Sequence, residues 1–288
     1  MELMNRLPAA KRAQIIGMMV EGVSIRAIAR LTGTSKNTIV KLLRDTGQAC
    51  AVYQDKTLRN LTCKRLQLDE IWSFVYAKQK NVPDSKLGEA GSVWTWTAID
   101  PDTKLIASWM LGDRGADTAR AFVKDLADRL ANRVQITSDG WRAYLTAVER
   151  AFQGEIDYAM LDKTYAGPLE AGKHYGPPVR VGAKKRYITG NPDPAHISTS
   201  IAERMNPNIR MGLRRFTRFT NAFSKKIENH FYALAIYFMH YNFVRIHQTI
   251  GVTPAMAAEV TDKLWSLGDM VAILEARERS EETPKERS

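Results

Sequence analysis

Apolar residues in the first 45 positions recur at helical spacing. Ile15, Ile16, Met19 and Val20 fall on one face of a helix that Leu7-Pro8 opens and Glu21-Gly22 closes. Ser24 is placed to cap a second helix over 25–31, Gly33 to make a left-handed turn, and Ser35 to cap a third helix over 36–43. Two short helices joined by a glycine turn read as a helix-turn-helix. Ala29 is small where the helices would cross, and Ile39 would plug the core from the second of them. Ser35, Lys36, Asn37, Thr38 and Lys41 would then face the major groove or the phosphates of DNA. The plain alternative is a helical hairpin that only packs or dimerises.

The period then changes. Over 46–64, with Gly47, Gln48, Asp55 and Asn60, periodicity is lost, which predicts a domain over 1–48 and a linker over 49–63. From Lys64 the repeat is two. Leu66, Leu68, Glu70, Trp72 and Phe74 share one face of a strand, and Gln67, Asp69, Ile71, Ser73 and Val75 share the other. A second strand is predicted over 93–99 and a third over 105–111, with Asp100-Pro101-Asp102 turning the chain between them. A helix opens at Asp117 or Thr118, and a fourth strand over 134–137 ends at Ser138-Asp139-Gly140. A three-stranded meander, a helix and a further strand make an α/β layer over 64–260 rather than a sandwich.

Residues 162–196 hold Gly167, Gly172, Gly176, Gly182 and Gly190 with Pro168, Pro177, Pro178, Pro192 and Pro194, which predicts an irregular loop or flap carrying Lys184-Lys185-Arg186. Residues 201–242 read as largely helical and rich in arginine, with an aromatic core at 231–243. Thr253-Pro254 should open another helix. A C-terminal helix and a polar, disordered tail are expected within 261–288.

Composition narrows the class. The chain has 288 residues, 44% hydrophobic and 25% charged, which excludes wholesale disorder and fibrous repeats. The longest apolar run, near 232–239, falls short of the roughly 20 residues of a membrane span. With no secretory pattern at its start, the expectation is a soluble, non-exported protein. Cys50 and Cys63 are too few for a disulfide framework or a Cys₄ zinc site. Forty-two basic against thirty-one acidic residues leave a net charge of +11, which points to a polyanion. The alternative is a basic surface that only aids solubility.

Three acids stand out by position: Asp69 in mid-strand, Asp139 at a strand exit beside Gly140, and Glu203 before an arginine-rich helix. They are far apart in sequence, so only a fold that gathers them makes one site. Carboxylates brought together repel unless cations sit between them, and hard oxygen ligands suit Mg²⁺ or Mn²⁺. Each acid has a bland reading as well. Ser200-Ile201-Ala202-Glu203 fits a capping box, Asp139-Gly140 an ordinary turn, and Asp69 beside Glu70 a surface strand edge.

Three blocks carry a resemblance. They are Leu68-Asp69-Glu70-Ile71-Trp72-Ser73-Phe74-Val75, Thr137-Ser138-Asp139-Gly140-Trp141-Arg142-Ala143-Tyr144 and Ile201-Ala202-Glu203-Arg204-Met205-Asn206. In this order they resemble the acidic blocks of bacterial insertion-sequence transposases of the Asp-Asp-Glu type, closest to the insertion-sequence-one group. The likeness continues through Arg214-Arg215-Phe216-Thr217-Arg218, through Asn221-Ala222-Phe223-Ser224-Lys225-Lys226, and to Tyr241-Asn242, Arg245, His247 and Thr253-Pro254.

The resemblance implies an α/β, ribonuclease-H-like catalytic domain behind an all-α helix-turn-helix domain. It implies Asp69, Asp139 and Glu203 as catalytic ligands of two Mg²⁺ or Mn²⁺ ions, with Asp69 rather than Glu70 as the first acid. The activity it implies is 3′-end cleavage and strand transfer on double-stranded DNA, at terminal inverted repeats and a target, by a homodimer or higher oligomer in a prokaryotic cytoplasm. Arg210 and Arg214, four apart on one helix face, are the expected phosphate contacts near Glu203, with Lys225 and Lys226 also on DNA. His247 is read as a structural hydrogen-bonding residue.

Two departures matter. The cysteine zinc module of some relatives is absent, so zinc is not implied. Pro207 lies four residues after Glu203, so either the helix tolerates a proline or it begins near Asn206 with Glu203 in the preceding loop. The rival reading is an inactive DNA-binding regulator or transposase remnant.

Overall fold

In the computed structural model, which describes residues 6–166, 179–217 and 220–282, the N-terminal helices begin where their caps stand. Helix α1 spans Ala9–Val20 and α2 spans Ile25–Thr32, the latter capped by Ser24 Oγ accepting from the Ala27 amide at 3.2 Å. Gly33 takes φ 66°, and Ser35 Oγ accepts from the Thr38 amide at 3.1 Å to start α3. Helix α3 then departs from expectation. It runs 22 residues, Lys36–Thr57, through most of the stretch the sequence marked as a linker. Thr46, Gly47, Cys50 and Gln54 are buried on it because it crosses another helix, α7 (Ile227–Met239). Gln54 Nε2 donates to the Ala235 carbonyl at 2.9 Å, and a Cβ at Gly47 would fall 2.4 Å from Tyr232 Cβ.

The sheet has six strands: β1 (Arg65–Val75), β2 (Gly91–Ile99), β3 (Ile106–Gly112), β4 (Gln135–Asp139), β5 (Asp157–Ala166) and β6 (Val179–Thr189). Their order is β3-β2-β1-β4-β5-β6. The first three form the antiparallel meander read from the sequence, β4 runs parallel to β1, β5 parallel to β4, and β6 antiparallel to β5. Helix α4 (Ala116–Ala127) supplies the crossover to β4, and α5 (Ala143–Phe152) the one to β5. This is a mixed α/β sheet flanked by helices, ribonuclease-H-like in order and direction, preceded by a helical N-terminal region.

Both faces are covered. On the face carrying Glu70, Trp96 packs its ring 5.7 Å from those of Phe122 in α4 and Tyr144 in α5. On the face carrying Asp69, Trp109 meets Phe231 and Phe238 of α7 at 5.1 and 5.2 Å. One hydrophobic cluster runs from Ile15 in α1 to Leu274 in α9 (Leu267–Glu282), so the N-terminal helices share the core of the sheet.

Three further expectations change. Part of 162–196 is regular: Asp162 pairs with Lys184 and Thr164 with Gly182 in the β5–β6 hairpin. As β6 is an edge strand, it exposes Lys184 and Lys185, and Val181 and Tyr187 with them, so no apolar alternation marks it. The glycines and prolines at 167, 168, 172 and 176–178 lie outside the described residues. The helix read over 201–242 divides into α6 (Ser200–Gly212), a 3₁₀ turn at Arg214–Phe216, and α7, which passes into a π-turn at His240–Val244. Helix α9 reaches Glu282, so the start of the expected tail is helical, and 283–288 lie outside the described residues. Thr253 Oγ1 caps α8 (Pro254–Ala257) as read, accepting from the Met256 amide at 3.3 Å. No helix among the described residues is long and apolar enough to cross a membrane.

Candidate active site

Adjacent parallel strands place the first two acids. The β1–β4 register sets Gln67 opposite Thr137, so Asp69 and Asp139, each two residues further on, leave the sheet side by side at the end of β4. The Trp141 amide donates to Asp139 Oδ1 at 3.1 Å. A Cβ at Gly140 would meet Asp162 Oδ1, a side-chain end that would have to turn aside.

Helix α6 brings the third acid over the same strand. Gln67 Oε1 accepts from the Ile201 and Ala202 amides at 2.8 and 3.1 Å, satisfying two donors that a helix start leaves free. Asn206 Nδ2 donates to Asp69 Oδ2 at 2.8 Å, which docks the helix on the carboxylate. Glu203, in the first turn, accepts from Thr199 Oγ1 at 2.6 Å and pairs with the Lys163 ammonium. The capping box therefore does not form: the Ser200 amide takes Ser198 Oγ instead. Pro207 sits inside α6, which runs unbroken from Ser200, so the alternative that the helix begins near Asn206 is overturned. Proline has no amide for the Glu203 carbonyl, and the helix carries that loss.

Lys163 is the residue that sequence reading missed. It lies on β5, its side chain is 8% exposed, and it donates to Thr199 Oγ1 at 2.7 Å as well as pairing with Glu203. Strand β5 extended into a stretch read as irregular, so nothing marked this lysine as inward-facing. Glu70 lies on the opposite face, as its register requires. Its side chain is 2% exposed, and it accepts from Arg114 Nε at 2.7 Å and Tyr144 OH at 3.0 Å. Arg114 also reaches Asp139 Oδ2 at 3.7 Å and lies over the rings of Trp94 and Trp141.

The electrostatics report crowded negative charge. Burial, then Glu70 and Asp139 nearby, push the Asp69 carboxyl up to about 7, while Lys163 acts against them. Burial and Asp139 raise the Glu70 carboxyl too, opposed by Arg114 and Tyr144. Asn206 Oδ1, beside Asp69, is buried without a hydrogen-bond partner. Hard carboxylate oxygens at Asp69 and Asp139, an unpartnered amide oxygen and too little positive charge fit a divalent cation. Among the described residues no three His, Cys, Asp or Glu side chains converge closely enough to hold one, since Glu203 is held by Lys163.

The expected DNA contacts divide. Ser35, Lys36, Asn37, Thr38 and Lys41 are all exposed at the start of α3, with Ser35 committed to its cap and Lys41 to Asp45 at 2.5 Å. Arg210 and Arg214 do not share a helix face, because α6 ends at Gly212 and Arg214 belongs to the 3₁₀ turn. Lys225 and Lys226 are exposed just before α7. Arg218 lies outside the described residues. His247 makes backbone hydrogen bonds in the turn before α8 and packs its ring edge-on to Tyr241 at 4.5 Å, a structural placement.

No protein-family model matches the chain, and no curated protein does. Among solved structures the chain is similar to a piggyBac transposase synaptic complex with hairpin DNA, at 13% identity over 96% of this chain and 73% of that one, with a TM-score of 0.41. It is also similar to a Mos1 strand transfer complex, at 12% identity over 55% and 60% of the two chains and a TM-score of 0.23. A pre-cleavage Mos1 transpososome shares 11% identity over 55% and 61%, with a TM-score of 0.24. The chain thus spans about three fifths of the Mos1 chains it matches.

Proposed function

We propose that the chain is a DNA transposase of the Asp-Asp-Glu type, of the insertion-sequence-one-like group. The observation that carries the reading is the placement of Asp69 and Asp139 side by side at a strand end, with Glu203 one helix above. This sits in a chain of net charge +11 whose α3 offers Lys36, Asn37, Thr38 and Lys41 to solvent. Asp69, Asp139 and Glu203 would hold Mg²⁺ or Mn²⁺, and two such ions supply an activated attacking oxygen and a stabilised leaving oxygen in phosphodiester transfer.

The chain's own residues do the rest. Arg114 fixes Asp139 from behind while neutralising buried Glu70. To hold an ion Glu203 would have to give up the Lys163 ammonium, which would then be placed to meet the phosphate. Arg210, two turns beyond Glu203, steadies the backbone of the strand. Lys225 and Lys226 add phosphate contacts, and α3 reads the terminal inverted repeats. Cleavage frees a 3′-hydroxyl that attacks target DNA at the same centre, in a homodimer or higher oligomer that holds both ends, in a prokaryotic cytoplasm. The Lys163–Glu203 pair and Pro207 favour a second reading, a remnant that binds DNA without cutting it.

The test is purified protein and Asp139→Asn on labelled duplex carrying the gene's own flanks, with Mg²⁺ or Mn²⁺. Cleavage and joining by the wild type alone, with binding kept by both, are the expected result. Metal-dependent cleavage retained in Asp139→Asn would sink the site assignment. Binding without products from either would favour the remnant.

A further inference from the structure

Strand β1 outruns its neighbour. It pairs with β4 only at Arg65, Leu66 and Gln67, and β4 ends at Asp139, so past Asp69 that edge of β1 has no strand beside it. The chain returns at Ser224, which bridges to Val75 and whose carbonyl accepts from the Tyr76 amide at 2.7 Å. Between these points lies a cavity of about 320 Å³, within the range of small-ligand sites.

Its walls are aromatic. Trp72, Phe74 and Phe223 are each half-buried, with ring centroids 5.8 Å apart for the first pair and 5.1 Å for the second. Trp72 Nε1 donates to Ser92 Oγ at 3.0 Å, which fixes the indole. Lys78 and Arg210 also line the cavity. Its floor is Arg215, whose Nη1 donates to Ser224 Oγ and to the Asn229 carbonyl, both at 2.8 Å. Both partners are neutral, and among the described residues no carboxylate pairs with this guanidinium. The adjacent His230 bridges Ser73 and Ser224 and is kept uncharged by burial. A largely buried guanidinium with no carboxylate partner among the described residues, beside half-buried aromatic rings, calls for a ligand that is flat, apolar on its faces and anionic at one end.

We propose that this cavity takes one unpaired nucleotide of a DNA strand, its base among Trp72, Phe74 and Phe223 and its phosphate toward Arg215. Calling that strand the one being cut rests on the transposase reading; the site itself does not. Trp72 lies three residues beyond Asp69, about 10 Å along a strand but on the Glu70 face. The cavity, which Ser73 of the Asp69 face also lines, is therefore reached from the carboxylates around the open edge of β1. Arg210 lies seven beyond Glu203, about 10 Å along a helix. At about 3.4 Å per nucleotide of duplex, the extruded base belongs two or three positions from the phosphate at the carboxylates. Bases are read this way when drawn out of the stack, and the grip is sequence-tolerant because every base has a π-face.

The experiment uses the full chain in EDTA with two probes: the flank duplex, and a duplex of unrelated sequence with three unpaired nucleotides at one end. Each carries 5-iodouracil at one position at a time. Photocrosslinks mapping to Trp72, Phe74 or Phe223 from one or two adjacent positions are expected. So is about tenfold tighter binding of the frayed duplex than of its fully paired form, lost in Trp72→Leu and in the milder Phe223→Leu. Urea midpoints of both variants establish that they fold. Crosslinks mapping elsewhere, or a frayed-end preference unchanged in the folded variants, would overturn the proposal. Displacement of the frayed strand by millimolar dAMP would make this a mononucleotide site and overturn the strand assignment. The frayed probe needs neither end recognition nor cleavage, so crosslinks there, together with no cleavage of flank DNA in the separate Mg²⁺ or Mn²⁺ assay, would sink the transposase reading and leave the cavity standing.

Discussion

A carboxylate as buried as Glu70 survives only with donors around it, and it has two, Tyr144 OH and Arg114 Nε. Tyr144→Phe removes one while keeping the ring that packs on Trp96. The expected cost is about 1.5–3 kcal/mol, the range for a hydrogen bond to a charged group, read as a lower urea midpoint with an unchanged slope. An unchanged midpoint would mean that the tyrosine serves Glu70 only as packing. At this scale the sequence is legible where a strand's alternation is clear. The period of two put Asp69 and Glu70 on opposite faces, as they are found, and a strand exit at Asp139 was visible from Ser138-Asp139-Gly140. Lys163 was hidden because a lysine is inward-facing only by virtue of strand register, and the glycines and prolines downstream concealed the strand.

The crossing of α3 and α7 depends on a residue that looked like a linker signal. Gly47 lets the backbones approach until a Cβ would lie 2.7 Å from Tyr232 Cα and from its carbonyl oxygen. Gly47→Ala gains helix propensity but must push the helices apart, so a net loss of about 1–3 kcal/mol is expected. A more stable variant by urea unfolding would show that the crossing yields cheaply. The helix was illegible past residue 45 for the same reason: a close crossing selects Gly47, Thr46 and Gln54, which break an apolar stripe.

At the end of α3, Arg129 donates to the Leu58 carbonyl at 3.1 Å, to Asp55 at 2.8 Å and to Asp125 at 2.7 and 2.9 Å. Burial opposes ionisation of Asp125, but Arg129 and Ser108 outweigh it and hold the carboxyl below its ordinary value. A lowered carboxyl contributes stability that is present above the unfolded value, near 3.8, and is lost as pH falls through the folded one. Arg129→Met is expected to cost about 2 kcal/mol at pH 7, discounted for its partly exposed partners. It should also flatten the stability profile below pH 4. A profile as steep as the wild type's would place the acid sensitivity elsewhere.

The molecule as a whole carries one buried and two half-buried histidines that resist charging. Burial pushes His230 down to about 3 and His240 and His247 down to about 4, with nearby arginines adding to the effect. Unfolded histidines take protons near pH 6.5, so between that value and about 4 the unfolded chain binds more protons and stability falls as the pH falls. The Asp69 carboxyl, raised to about 7, takes a proton in the folded state over the same range and offsets part of the loss. Three histidines outweigh it. The urea midpoint is therefore expected to drop between pH 7 and 5, and a flat profile would contradict the burial of these rings. Because one hydrophobic cluster joins α1 to α9, helical and aromatic signals should be lost together in a single transition. The meander, helix and strand of the sheet were legible as an ordered series of elements. The union of head and sheet was not, because it depends on which face of each helix meets the other, and a single chain's pattern leaves partners unnamed.

A helix of 22 residues is about 33 Å long and does not bend to order. Its first turn offers Lys36, Asn37 and Thr38, and its last is pinned through Arg129 to the segment between α4 and β4. On the proposed function, α3 and the first residues of β1 together form a ruler: the helix is close in length to one turn of the double helix, and Asp69 lies four residues beyond the start of the strand that follows it. The substrate is then defined by a distance as much as by letters. Five base pairs added between the recognised bases and the cut phosphate would turn the phosphate to the far side of the duplex, while ten would restore its facing but leave it out of reach.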